Sequence, residues 1–338
     1  MRWTKCCATI ARLASLRTYL LLSLALLSSP AFSQETTLRS QANVVLVPAL
    51  VKDSSGQAVY GLQAQDFSIE DDGVEQTVRL DEAPERQPVS LVVAIQRGRR
   101  ASYEFPRMQG LHSMLGPLFE SGSARVALVE FDSKVELTRD FTGDENAVDA
   151  DLANLQPGDN GAAILDALNY SVGLLRNEPD TRLRVLLLIS ETRDHGSIMK
   201  VDGAVAGVGR ANVLIYSLAF SPSLSNVLDT ERGSNKAEMH NGIDFLDLAY
   251  RAGQAMRKNV PSTIAQMTGG EYQLYASRKK FELRMTDFTN HLHSRYLLSF
   301  TPANPHPGLH QVRVRLRHGN DATVLARTSY WAEGNAQK

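Results

Sequence analysis

Four short apolar runs leave this chain few folds to choose from. "VSLVVAI" (Val89–Ile95), "ARVALVEF" (Ala124–Phe131), "LRVLLLIS" (Leu183–Ser190) and "ANVLIYSLAF" (Ala211–Phe220) are almost unbroken in Val, Leu, Ile and Ala. A strand with one wet face alternates apolar and polar residues, whereas an unbroken run belongs to a strand covered on both faces. Between the runs lie "FPRMQGLHSMLGPLFE", "ENAVDADLANL" and "AAILDALNYSVGLLRN", whose apolar residues recur at the spacing of one helix face. The alternation predicts an α/β domain with a doubly wound, mostly parallel sheet. "KVELT" (Lys134–Thr138) predicts an antiparallel edge strand, and "DFLDLAYRAGQAMRKNVPSTIAQMTGG" predicts helix broken near Pro261 and stopped by Gly269-Gly270. "EYQLY" is expected as a last short strand, "FELRMTDFTNHLHS" as a further helix, and Ser221–Gly242, rich in turn formers, as a long loop.

The flanks read differently. "NVVLVPALV" (Asn43–Val51) is a strand, and "DFSIEDDGVEQTVRL" is a hairpin turning on Asp72-Gly73. "DEAPERQPV" (Asp81–Val89) has the composition of a linker. At the other end "RYLLSF", "QVRVRLRH" and "TVLARTSY" are three strands joined by turns. Neither set is large enough to stand alone, so the two are expected to pair into one small discontinuous β-sandwich. The boundaries that follow are a leader over 1–33, an N-terminal β segment over 34–88, the α/β domain over 89–294 and a C-terminal β segment over 295–338. In "QVRVRLRH" the period of two sends Val312, Val314 and Leu316 inward and Arg313, Arg315 and Arg317 to water, as a solvated or edge-protecting stripe.

Arg2, Lys5, Arg12 and Arg17 precede the apolar run Tyr19–Leu27, and Ala31 and Ser33 supply the small residues of a cleavage site. That is the layout of a secretory signal peptide cut after Ser33, and the run is far short of the ~20 residues that span a bilayer. The expectation is an exported protein, periplasmic or extracellular, with no transmembrane span once mature. Cys6 and Cys7 both lie in the leader, so the mature chain has neither disulfide nor thiolate chemistry. Without the leader's four cations it holds 32 Lys and Arg against 37 Asp and Glu, a net charge of −5. Such a balance argues against a nucleic-acid binder.

The first run empties into "QRGRRAS", three arginines at the carboxyl end of a predicted parallel strand, where doubly wound sheets place their crevice. Four stretches here carry a resemblance: "VKDSSGQAVYGLQAQDFSIEDDGVEQTV", "FDSKVELTRDFTGD", "GDNGAAILDAL" and "SRYLLSFTPANPHPGLHQVRVRLR". The central block resembles a von Willebrand factor A domain, and the mature chain resembles the bacterial VWFA-related Acidobacterial domain family over about three quarters of its length. The resemblance implies a metal-ion-dependent adhesion site built from Asp-x-Ser-x-Ser, a Thr and a Ser-Asp-Gly, oxygen donors suited to hard octahedral Mg²⁺. Aligned on Gly98, this chain puts Ile95, Arg97 and Arg99 at the Asp and Ser positions, and Ala162 at the Thr; only Glu191 keeps a carboxylate. A guanidinium has donors only and keeps its charge. The site is therefore expected to be degenerate and to hold no metal. Two roles are open for the arginines: Arg97 or Arg99 pairs inward with Glu191, Asp194 or Asp166, or Arg97, Arg99, Arg100 and Arg193 form a cationic rim for a protein partner with an acidic surface.

Catalytic constellations are thin. "RDHGS" sets Asp194, His195 and Ser197 on one loop, without the nucleophile elbow or oxyanion-hole motif of a hydrolase. His291 and His293 fall on different helix faces, and His306 and His310 in "HPGLH" are a weak metal signal, expected to be solvated. "GAVAGVG" (Gly203–Gly209) lacks the flanks of a P-loop. The expectation is an exported, non-enzymatic protein-interaction module that needs no cofactor. A structural or scaffold subunit of a cell-envelope assembly is the alternative, and a hydrolase has least support.

Overall fold

The computed structural model describes residues 44–81, 88–120, 122–179, 181–220, 245–318 and 321–333. The expected leader, the loop at 221–242 and most of the expected linker lie outside the described residues. At the centre is a six-stranded sheet of β5 (Val89–Gln96), β6 (Arg125–Phe131), β7 (Val135–Thr142), β8 (Leu183–Ser190), β9 (Leu214–Phe220) and β10 (Tyr272–Tyr275), in the order β10-β9-β8-β5-β6-β7. All neighbours are parallel except β7, which runs antiparallel to β6 at the edge.

The run Val89–Ile95 shows why the sheet needs cover on both sides. Val89, Leu91, Val93 and Ile95 face one apolar cluster and Val92 and Ala94 the other. The first cluster is closed by α1 (Leu111–Glu120), α2 (Glu145–Ala153) and α7 (Arg278–Leu292), through Leu115, Val148, Phe281 and Phe288 among others. The second is closed by α3 (Ile164–Arg176), α4 (Val201–Arg210), α5 (Phe245–Lys258) and α6 (Val260–Thr268), through Leu168, Val205, Met256 and Ile264. Each such aliphatic side chain stabilises the fold by roughly 1.5–3 kcal/mol when fully buried.

Two helices differ from the sequence reading. α4 occupies the glycine-rich Gly203–Gly209 stretch, and the break expected near Pro261 falls at Asn259, which caps α6 through its Oδ1 on Ser262 N (3.0 Å). Gly269 closes α6 at φ +80°, the left-handed position glycine tolerates best.

Eight further strands come from the two ends of the chain: β1 (Val45–Lys52), β2 (Phe67–Asp71), β3 (Val74–Gln76) and β4 (Arg79–Asp81), then β11 (Tyr296–Phe300), β12 (Gly308–Leu316), β13 (Thr323–Ala326) and β14 (Ser329–Ala332). They make two four-stranded sheets, β13-β1-β11-β4 and β14-β12-β2-β3. Residues of both sheets share one apolar cluster, including Val47, Phe67, Ile69, Leu298, Phe300 and Val312. "TVLARTSY", read as one strand, is two: β13 pairs with β1 and β14 with β12, so the chain changes sheet at Arg327-Thr328. The stripe on β12 is not an edge. Arg313 and Arg315 bond to Glu70 and Arg317 bonds to Glu75, across the β2–β3 hairpin (Nη1–Oε 3.0 and 2.9 Å for the first two). Among the described residues no helix is long and apolar enough to cross a membrane.

Candidate functional site

The candidate seat lies at the carboxyl ends of β5, β6 and β8. Period two along β5 decides which residue reaches it. Ile95 points into the apolar cluster beneath α1 and is 1% exposed, so it is not a seat residue. Gln96, one step on, turns the other way: its Oε1 accepts from Glu191 N (2.9 Å), and its Nε2 donates to Glu191 Oε1 (3.3 Å) and Gly98 O (3.2 Å). The residue that the resemblance puts at its Asp position thus faces the core, and its neighbour Gln96 bonds Glu191 instead. Arg99 also enters the seat.

Arg99 adopts φ +57°, unusual for a residue with a side chain and costing about 1 kcal/mol or more. Its N–H donates to Asp159 O (2.8 Å), which fixes that turn. The turn brings Arg99 Nε to 2.8 Å from buried Glu191 Oε1. The contact is an ion pair without a hydrogen bond, because the Nε–H is not aimed at the oxygen.

Arg97 goes the other way. Its Nε donates to Asp132 (3.0 Å), Nη1 to Glu130 (3.3 Å) and Nη2 to Glu136 (3.0 Å), three carboxylates from β6, β7 and the turn between them. Burial pulls the Arg97 pKa down, but the carboxylates, Asp132 foremost, outweigh it and the net shift is upward. Arg97 and Arg99 thus pair with four carboxylates, Glu130, Asp132, Glu136 and Glu191, so these two cations are spent inside the seat and do not form a rim. Arg100 and Arg193 are exposed.

Two loops hold the seat shut. A side chain could not be added at Gly98, where a Cβ would clash with Gly161 O, nor at Gly161, where it would clash with Ser133 N. Asp159 bridges the gap: its Oδ1 accepts from Ser133 N (3.0 Å) and Gly161 N (2.8 Å), and Ser133 Oγ bonds its other oxygen. The Ser133 hydroxyl, and then the Gly161 amide, lower its pKa. Ala162 at the Thr position is fully buried, and its backbone bridges His195 (2.9 and 2.8 Å).

The "RDHGS" loop is a cap for α3. Asp194 Oδ1 accepts from Leu165 N (3.0 Å) and from Ser197 Oγ (2.5 Å), and Ser197 Oγ accepts from Asp166 N (3.1 Å). Asp166 in return accepts from Ile198 N and Met199 N (2.8 and 2.7 Å). Neither Asp194 nor Asp166 meets the arginines in this arrangement, and Ser197 has its hydroxyl engaged by the backbone and a carboxylate while the His195 side chain is exposed. Ile198, on the loop after β8, and Tyr103, in a short 3₁₀ helix (Ala101–Arg107) after β5, are 92% and 76% exposed.

Two charged clusters elsewhere escape a sequence reading. Glu271, buried just before β10, meets His291 Nδ1 (2.8 Å), Lys52 Nζ (3.1 Å) and Arg295 Nη2 (3.8 Å). Burial raises its pKa, and the bonded His291 with Arg295 and Lys52 more than offsets that, leaving it at about 2. The second cluster corrects the expectation of solvated histidines: His310 is wholly buried and sits against Asp71, Asp72, His306 and Tyr330. Only the spacing of "HPGLH" hinted at it.

No family model and no curated protein matches the chain. Solved structures do show likeness. A mutant of the PilB minor pilin from Streptococcus sanguinis aligns with a TM-score of 0.43 and 12% identity, covering 63% of this chain and 63% of that one. BatB, a conserved hypothetical protein from Bacteroides thetaiotaomicron, aligns at TM-score 0.38 and 15% identity over 60% of this chain and 98% of its own. The vWF domain of the type V pili tip protein Mfa5 from Porphyromonas gingivalis aligns at 0.29 and 17% over 32% and 38%. The chain thus spans less than two thirds of the pilin and of the Mfa5 domain. The fold of this protein is defined by its own strand order, a mostly parallel sheet between two layers of helices.

Proposed function

We propose that this protein is an exported protein-interaction module of the A-domain type whose adhesion seat works without a divalent ion. One observation carries the proposal: two guanidiniums fill the seat, Arg97 on Glu130, Asp132 and Glu136, and Arg99 on Glu191. An arriving Mg²⁺ would meet permanent positive charge in place of oxygen donors. A cation and a monocation about 4 Å apart already repel by roughly 4 kcal/mol at an effective dielectric of 20, doubled for a divalent ion. The arginines neutralise the carboxylates that an ion would otherwise neutralise, so the face is assembled in advance and presents Arg100, Arg193, Tyr103 and Ile198 to a partner. With only two free cations left among the four named, the partner surface need be no more than locally acidic. No step of chemistry is assigned: the Asp194–Ser197 pair serves a helix terminus.

The test uses the chain purified from the exported fraction, whose first residue the proposal puts at Gln34. Calorimetry with Mg²⁺ is expected to show no binding at this seat. Partner capture from the native host is expected to persist in EDTA and to weaken in Arg100→Glu/Arg193→Glu. Stoichiometric Mg²⁺ binding that disappears in Glu191→Ala, or capture that EDTA abolishes, would overturn the proposal.

A further inference from the structure

The geometry points to a zinc-type divalent metal site at the β2–β3 hairpin, with Asp72 Oδ2, His306 Nε2 and His310 Nδ1 as its protein ligands. It lies in a different sheet from the arginine-filled seat and does not depend on how that seat is read. His310 Nδ1 is 2.8 Å and His306 Nε2 3.1 Å from Asp72 Oδ2, and the three donor atoms all lie within 4.8 Å of one another. Around tetrahedral zinc, with bonds of ~2.0 Å, donor atoms stand about 3.3 Å apart. Small outward movements would admit an ion.

The far nitrogens of the two rings support the site. Each imidazole turns its far nitrogen to a carbonyl: His310 Nε2 lies 2.8 Å from His306 O, and His306 Nδ1 3.3 Å from Pro307 O. A carbonyl only accepts, so each far nitrogen donates its N–H there and the near nitrogen is the one turned toward Asp72. The two near nitrogens and the carboxylate thereby converge on one point that a divalent ion can occupy. A ligating histidine whose other N–H is held by a backbone carbonyl is the usual arrangement around a bound metal.

The surroundings are built for the same end. Asp72 takes φ +49° at the hairpin turn, and its position is locked by Asp72 N on Gln311 O and Gln311 N on Asp72 Oδ1, both 2.9 Å. Tyr330 stacks on His310 with centroids 4.6 Å apart and donates to Asp71 Oδ2 (3.0 Å). Asp71 Oδ1, 3.1 Å from His310 Nδ1, holds that ring from the buried side. His310 is buried, while the side chains of Asp72 and His306 are 37% and 45% exposed, which leaves solvent a way in. Two imidazoles and a carboxylate favour zinc and its neighbours over Mg²⁺ or Ca²⁺, which take oxygens.

Isothermal titration of the full mature chain with Zn²⁺ tests this, with Mg²⁺ as contrast and Co²⁺ absorption as the spectroscopic check. One Zn²⁺ per chain at micromolar concentration is expected, with a rise in Tm and tetrahedral Co²⁺ bands. Affinity should fall at least about tenfold in His306→Ala, whose side chain is half in water, and in Asp72→Asn, which keeps the turn because Asn tolerates the left-handed region. Absence of Zn²⁺ binding to the wild-type chain would overturn the site. So would unchanged affinity in both variants, which would place the ion on other histidines.

Discussion

Arg97 is where the chemistry of the seat is most exposed to a single substitution. Removing its side chain leaves Glu130 and Asp132 buried beside each other without a cation, and broken buried pairs are strongly destabilising. Arg97→Ala is expected to lose about 2–3 kcal/mol in urea unfolding, less than the ~3–5 kcal/mol of a fully buried pair because Glu136 is well solvated. Arg97→Lys should recover part of it, since a lysine keeps the charge but not the three-way fork. Equal stability of wild type and Arg97→Ala would show that the carboxylates relax into water unaided. That an arginine-rich loop follows the first strand is plain in the sequence, and Glu191, the partner of Arg99, was among the carboxylates it offered; the partners of Arg97 were not, because they arrive from β6, β7 and the turn between them, more than thirty residues on. The phase of the strand was equally hidden. With both faces of β5 apolar, nothing in "VSLVVAI" says whether Ile95 or Gln96 turns toward the loops; the structure turns Gln96 there and Ile95 into the core.

At the scale of elements, the start of α3 depends on a loop from after β8. Ala163, at its N-terminal boundary, makes no side-chain cap, and Asp194 supplies the missing acceptor from another element. Asp194→Ala is expected to cost about 1–2 kcal/mol, as for a lost N-cap, and to raise amide exchange at Leu165 and in the Asp166–Met199 zipper together. Exchange confined to the 191–199 loop would mean that α3 holds without it. The helices with clean apolar periodicity were legible as helices. α4 was not, because its glycines, of which Gly209 lies close to Trp331 and Leu309, erase both propensity and pattern while serving close packing.

For the whole molecule, Glu271 joins the central sheet to the terminal strands: Lys52 comes from β1, His291 from α7 and Arg295 from the segment before β11. Its folded pKa of about 2 lies below the ordinary 4.5. The stability it contributes is therefore complete above pH ~4.5 and is lost as pH falls toward ~2, an amount on the order of 3 kcal/mol. Tm is expected to drop through that window, and Glu271→Gln to lower Tm at neutral pH while flattening the acid limb. An acid limb as steep in the variant as in the wild type would assign the effect to other carboxylates. Arg327, buried at the point where the chain changes sheet, is the counterpart within the terminal strands: its pKa is pulled down to about 10 by burial, and its guanidinium rests on the carbonyls of Ser329, Leu46 and Gly209.

Local pattern alone determined the layered α/β core, the hairpin at Asp72-Gly73 and the run of arginines after the first strand. Hydrophobic periodicity and residue chemistry are properties of neighbouring residues, and they can be read from order along the chain. Which carboxylates the arginines seize, which sheet each terminal strand enters, and how Asp72 meets His306 and His310 were decided only by the tertiary structure. Those contacts join residues as far apart in the chain as Ala49 and Ala326, and their geometry is set by packing that no local stretch encodes.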